Sequence, residues 1–76
     1  MEEQVRRVMA DILELDPKSI DTSTSKDNTA SWDSLGHINL IVGLEQEFQV
    51  YFDVSEIESM VSFSDVLDAL ERKLQA

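Results

Sequence analysis

The chain has 76 residues, of which 16 are acidic and six basic, and its formal net charge is −10. This length predicts a single domain over residues 1–76 that buries roughly 60% of its unfolded surface. Cysteine is absent, which excludes disulfides and thiolate metal sites. The sequence has no apolar run of roughly 18 residues that would predict a membrane span, and its first residues do not resemble a signal peptide. We therefore expect a cytoplasmic protein.

The negative charge is concentrated in one part of the chain. Between Asp27 and Glu71 there are ten acidic residues and neither Lys nor Arg. Such a surface repels phosphate backbones, which argues against nucleic acid as a partner. It favours encounter with a positively charged protein surface. The alternative interpretation is that the acidity only keeps a small protein in solution.

The first predicted helix covers Met1 to Leu15. Its apolar residues recur at the i, i+3, i+4, i+7 and i+8 spacing that is typical of one helix face. They are Val5, Val8, Met9, Ile12 and Leu13. Pro17 is expected to end this helix, because proline disfavours helical dihedrals in the residue before it.

A long polar connection follows at residues 16–32. Its Ser, Thr and Asp residues favour turns over helix. Ile20 and Trp32 are predicted to anchor it in the core. For its middle, residues 22–28, order and disorder are both open.

The second predicted helix runs from about Ser34 to Gln49 and is apolar on two sides. At 100° per residue, one arc holds Leu40, Ile41, Leu44 and Phe48. The other arc holds Leu35, Ile38 and Val42. Four short helices cannot surround it fully, so we assign the first arc to the core and the second to a partly exposed partner-binding face. The alternative is that both arcs are core.

Residues 50–54 have strand propensity, but the sequence offers no second strand to pair with them. We expect an extended connector that buries Phe52. A short third helix is predicted after Ser55, because Ser55 and Glu58 form a capping-box pattern.

A second start signal, Ser62 with Asp65 three residues later, predicts a fourth helix that reaches the C-terminus. Its apolar residues repeat at helical spacing and are Val66, Leu67, Leu70 and Leu74. The predicted fold is all-α, with three longer helices, one short helix and a long first loop.

The segment Ser31-Trp32-Asp33-Ser34-Leu35 opens the second helix. Asp33 is a good N-cap residue, since its carboxylate accepts amide protons of the first turn. Ser34 then takes the first helical position with its hydroxyl outward. A phosphate ester formed there would be stabilised by the positive end of the helix dipole.

This segment, with the apolar helix behind it, resembles the Asp-Ser-Leu site of acyl and peptidyl carrier proteins, and the likeness covers essentially the whole chain. The resemblance implies a small four-helix bundle of acyl-carrier-protein type without catalytic activity. It implies that a phosphopantetheinyl transferase attaches 4′-phosphopantetheine to Ser34, with Asp33 and Leu35 completing the motif. The terminal thiol of that arm would hold acyl or aminoacyl groups as thioesters.

The resemblance also implies partners. Family members meet basic patches of their loading and transfer enzymes with acidic residues of the second and third helices. Here these are Glu45, Glu47, Glu56 and Glu58. Simple solubilising charge is the alternative for each of them. We expect a monomer.

Near the site the sequence departs from fatty-acid carriers, which usually have more acidic residues early in the second helix. Gly36, His37 and Asn39 follow the motif here. Gly36 is expected to weaken the helix by roughly 1 kcal/mol relative to alanine. The departure favours a dedicated freestanding carrier for a polyketide, peptide, aminoacyl or special lipid pathway.

Two alternative functions would not involve a carrier protein. One is an acidic helical interaction module that is never modified. The other is a small serine hydrolase built on Ser34, His37 and Asp33. Neighbouring helical positions rarely align such a triad, and the sequence has no Gly-x-Ser-x-Gly elbow. A single histidine also argues against a zinc site of the usual type.

Overall fold

A computed structural model describes residues 1–75 of the chain. Its helices are α1 (Glu2–Leu13), α2 (Ser34–Phe48), α3 (Val54–Ser59) and α4 (Phe63–Gln75). Two single turns of 3₁₀-helix, Pro17–Ser19 and Lys26–Asn28, lie in the connection between α1 and α2. This confirms the predicted all-α fold with three longer helices, a short one and a long first loop. None of the described helices has the length and apolar character needed to cross a membrane.

The core lies between the apolar faces of α1, α2 and α4. The buried residues of these faces include Val5, Met9 and Leu13, then Leu40, Ile41 and Leu44, then Phe63, Val66 and Leu70. Ile20 and Trp32 are also buried, which confirms them as anchors of the first loop. Phe48 of the predicted core arc is only half-buried, and Leu74 in the last turn of α4 is exposed.

The end of α1 differs from the prediction. Glu14 adopts a left-handed conformation with φ 56°, and its N–H donates to the Ala10 carbonyl oxygen. Leu15 N also donates to that oxygen, at 2.9 Å. Such a left-handed cap satisfies the last carbonyls of a helix. The helix therefore ends at Leu13, and Pro17 begins the following 3₁₀ turn rather than ending α1.

The middle of the first loop, residues 22–28, is ordered, so the disorder alternative is wrong. Ser25 N donates to Asn28 Oδ1 at 2.9 Å within the loop. Lys26 N donates to the Val61 carbonyl oxygen at 2.9 Å, which ties the loop to the junction of α3 and α4. This second bond joins segments far apart in the chain, and local composition carries no signal for it.

Helix α3 is capped by Asp53, and the predicted box at Ser55 and Glu58 is wrong. Asp53 Oδ1 accepts from Glu56 N at 2.8 Å, and Glu56 Oε1 accepts from Asp53 N at 2.9 Å. This reciprocal pair is a capping box, and it starts α3 at Val54. Aspartate caps as well as serine does, so local sequence alone could not separate the two positions.

The carboxyl groups of this cap are stabilised in their charged form. Hydrogen bonds from Glu56 N and the Ser55 hydroxyl lower the pKa of Asp53. The Lys73 ammonium, 2.8 Å away, and the Asp53 amide lower the pKa of Glu56. The stabilisation from each group is present above its unfolded-state pKa and is lost as the pH falls through its lowered value. Acidic pH therefore weakens the start of α3.

The other two predictions for this half of the chain are confirmed. The connector between α2 and α3 is extended and buries Phe52. Ser62 Oγ accepts from Asp65 N at 3.1 Å, immediately before α4 begins at Phe63.

Candidate functional site

The start of α2 has the local geometry that its sequence predicts. Asp33 is in an extended conformation, and its Oδ1 accepts from Gly36 N at 2.8 Å. Its carbonyl oxygen accepts from His37 N at 2.8 Å. Ser34 is therefore the first residue of the helix, and both it and Leu35 are exposed to solvent. A hydroxyl group stands at the positive end of a helix, in a position that an enzyme can reach.

Gly36 has a role that its helix propensity does not indicate. A Cβ atom added there would collide with the backbone carbonyl oxygen of Ser31 and would lie 3.2 Å from Leu13 Cδ2. The turn before Ser34 thus packs directly on the first turn of α2, at a distance that only glycine permits. The predicted cost of this glycine is offset by the close packing that it allows.

His37 is buried, and it connects three elements of the fold. Its Nδ1 accepts from Trp32 Nε1 at 2.9 Å, and its Nε2 lies 2.8 Å from the carbonyl oxygen of Ile57 in α3. Both ring nitrogens are occupied, so neither can take a proton from Ser34. The carboxylate of Asp33, the third member of the hypothetical triad, accepts from Gly36 N, whereas the ring nitrogens of His37 pair with Trp32 and Ile57. This arrangement argues against the hydrolase alternative.

The second apolar arc of α2 is exposed, so the alternative that both arcs are core is wrong. Leu35, Ile38 and Val42 are 70%, 55% and 46% exposed. Tyr51 and Val54, at the end of the connector and the start of α3, are also exposed. The exposure of these two apolar residues was not predicted, because a segment with strand propensity gives no helical face on which to place them.

The four predicted acidic contacts differ in their surroundings. Glu47 and Glu58 are exposed. Glu45 is half-buried, and its Oε2 accepts from Phe52 N at 2.9 Å. Glu56 bonds to Asp53 and Lys73. Two of the four therefore have intramolecular partners that hold the connector and α3 in place.

Metal ligands do not cluster in the part of the chain that the structure describes. Within residues 1–75, no three His, Asp or Glu side chains are grouped in a way that would hold a metal ion.

The chain was compared with known proteins. The family model described as "Phosphopantetheine attachment site" matches residues 3–70. The acyl carrier protein of Thermosynechococcus vestitus is 35% identical over 74 residues, which cover 97% of this chain and 91% of that protein. The acyl carrier protein of Campylobacter concisus is 33% identical over 70 residues, which cover 92% and 91%.

Solved structures have the same fold. The holo acyl carrier protein of Geobacter metallireducens superposes with a TM-score of 0.86 at 27% identity, over 97% of this chain and 85% of that one. The holo acyl carrier protein of Nitrosomonas europaea gives 0.86 at 26%, over 99% and 96%. Sequence, family model and fold agree on non-catalytic carriers of a covalent 4′-phosphopantetheine group, and the chain belongs to the acyl carrier protein family.

Proposed function

We propose that Ser34 is the attachment site of 4′-phosphopantetheine in this carrier. The observation that supports this most is the exposed Ser34 at the first position of α2, directly after the capping residue Asp33. Asp33 sets where the helix begins, and Leu35 completes the motif. The segment also lies inside the residues that the family model matches.

The residues at this helix start suit a phosphate ester. The first amides of α2 have no carbonyl partner within the helix, and a helix N-terminus stabilises negative charge. When bound, the prosthetic group supplies a thiol that holds an acyl or aminoacyl unit as a thioester. The chain itself holds the phosphate at Ser34 and presents the site to enzymes that bring their own catalytic groups.

Mass spectrometry tests this function directly. After incubation with a promiscuous phosphopantetheinyl transferase, coenzyme A and Mg²⁺, the wild-type chain is expected to gain one phosphopantetheine group. A chain that gains none is the unmodified acidic module of the first alternative. Labelling by a fluorophosphonate probe would instead support the hydrolase, and we expect no labelling.

The residues after the motif also bear on the biosynthetic pathway that the carrier serves. We infer a dedicated carrier domain for a polyketide, peptide, aminoacyl or special lipid pathway in the cytoplasm. The pathway assignment is supported by Gly36, His37 and Asn39 after the motif, because fatty-acid carriers usually have more acidic residues there.

Partner enzymes with basic patches are proposed to dock on the exposed arc of α2, formed by Leu35, Ile38 and Val42. The arc begins at Leu35, next to Ser34, and runs along the same helix, so an enzyme that acts at Ser34 lies close to the arc. The exposed Glu47 and Glu58 add negative charge that steers a basic surface toward the carrier. Glu45 and Glu56 contribute charge from positions fixed by their intramolecular bonds.

Val42→Asp tests this docking arc. It should lower kcat/KM for loading by about tenfold, because a charged group replaces an apolar contact in the interface. Circular dichroism should show the helical content of the wild type, since Val42 is 46% exposed. Leu74→Asp is the matched control: Leu74 is 49% exposed on α4, and loading should be unchanged. Equal effects of the two variants, or unfolding of Val42→Asp, would contradict the docking proposal.

A further inference from the structure

His37 holds together three segments around the proposed attachment site. An indole N–H only donates and a carbonyl oxygen only accepts, so the bonds to Trp32 and Ile57 require the acceptor at Nδ1 and the proton at Nε2. His37 is 7% exposed; its bond to Trp32 is buried, and its bond to Ile57 is partly buried. A single imidazole therefore joins the first loop, α2 and α3.

Helix α3 depends on such external contacts. It has six residues, Val54–Ser59, and none of them is buried. An isolated helix of this length is not stable in water. Its other attachments include the half-buried side chain of Ile57 and the Glu56–Lys73 ion pair, whose side chains are 29% and 30% exposed. The ion pair links α3 to α4 and is partly screened by solvent, whereas the bond from His37 attaches α3 directly to α2, the helix that carries Ser34.

The position of His37 relates this attachment to Ser34. Residues three apart on a helix lie on neighbouring turns of the same face. His37 is therefore one turn from Ser34 and attaches α3 to α2 at that level. Its second bond goes to Trp32, two residues before Ser34, and fixes the turn that leads into the site.

We propose that His37 is a positioning residue for attachment of the prosthetic arm. It presents the Ser34 turn and α3 to the phosphopantetheinyl transferase as one preordered surface. This inference rests on the proposed function of Ser34. A partner that meets an ordered surface does not have to order it during binding. Loss of the His37 bonds therefore raises the KM for the carrier and leaves kcat unchanged.

The test compares His37→Phe, which keeps a ring without hydrogen bonds, with His37→Gln, which keeps one acceptor and one donor. For His37→Phe we expect about tenfold faster amide exchange in α3 and about a tenfold higher KM, the size of effect that follows loss of one hydrogen-bond partner inside a protein. His37→Gln should restore most of both. Exchange in α1 should change much less, because α1 does not contact this ring through a hydrogen bond.

Val8→Ala is the control for general destabilisation. Val8 is half-buried on α1, so its truncation weakens the core without touching the His37 bonds. Kinetics are measured where denaturation curves show each variant fully folded, because an unfolded carrier would raise KM without any loss of positioning. Under these conditions Val8→Ala should have the wild-type KM. If His37→Phe does not fold, His37→Leu, which is smaller and also lacks both hydrogen bonds, takes its place in both measurements.

The results that would overturn the positioning role of His37 differ from the result that would overturn the function proposed for Ser34. Unchanged α3 exchange in His37→Phe, or faster exchange with an unchanged KM, overturns the positioning role while Ser34 loading stands. An equal rise of KM in His37→Gln and His37→Phe also overturns it, because the hydrogen bonds would then be irrelevant. A wild-type chain that takes up no arm overturns the function proposed for Ser34 and this inference with it.

Discussion

Ser34→Ala is expected to take up no phosphopantetheine under conditions that load the wild type completely. The variant lacks the only atom to which the proposed phosphate ester can form at this position. Its fold should be unchanged, because Ser34 is exposed and α2 is capped by Asp33 rather than by Ser34. Mass spectrometry measures the loading, and circular dichroism measures the fold.

Ser31→Ala is the matched control for this result. Ser31 is the preceding serine of the same segment, and its buried hydroxyl has no hydrogen-bond partner within the described residues. Its removal therefore costs little. Full loading of this variant would show that the effect belongs to Ser34 and not to any serine near α2. Loading of Ser34→Ala itself would place the arm elsewhere and contradict the proposal.

Gly36→Ala is expected to lower the free energy of unfolding by about 2 kcal/mol. Alanine in a helix gains about 1 kcal/mol over glycine. Forcing an extra methyl group into a packed site costs about 1–3 kcal/mol, and we expect about 3 kcal/mol where a backbone atom is in the way. The atom in the way is the backbone carbonyl oxygen of Ser31, which cannot move by a simple rotamer change. The collision therefore outweighs the propensity gain. Thermal denaturation should show a melting temperature about 10 °C lower.

Gly43→Ala is the control that separates the effect of helix propensity on stability from the effect of close packing. A Cβ atom at Gly43 would lie 3.3 Å from Ile12 Cγ1 and 3.4 Å from Val8 Cγ1, which belong to side chains and not to backbone. Small adjustments of these side chains offset part of the propensity gain, so the stability should stay within about 1 kcal/mol of the wild type. The two variants make the same chemical change in the same helix. If both have the same stability, close packing at Gly36 is not the reason for its glycine.

Much of the fold follows from signals that act over a few residues. The spacing of Val5, Met9 and Leu13 predicted the buried face of α1, and the same reasoning separated the buried and exposed arcs of α2. Asp33 predicted the start of α2 because a cap bonds to an amide only three residues away. The position and exposure of Ser34 followed from that cap.

The sequence could not decide between two possible capping boxes for α3. Asp53 with Glu56 and Ser55 with Glu58 have the same spacing, and the structure uses the first pair. The sequence also did not predict that α1 ends at Leu13 with Glu14 as its cap. Its left-handed conformation occurs at a residue that does not favour it, and Leu15, the next residue, packs against the core.

The sequence by itself determined the helices, the apolar faces and the exposed serine at the head of α2, because periodicity and capping depend on neighbours along the chain. Three further points depend on the tertiary structure. They are the close packing at Gly36, the hydrogen-bond partners of His37, and the intramolecular bonds of Glu45 and Glu56. The decisive contacts include the bond from His37 to Ile57, 20 residues apart. Contacts of this kind exist only after α2, α3 and the first loop have packed together.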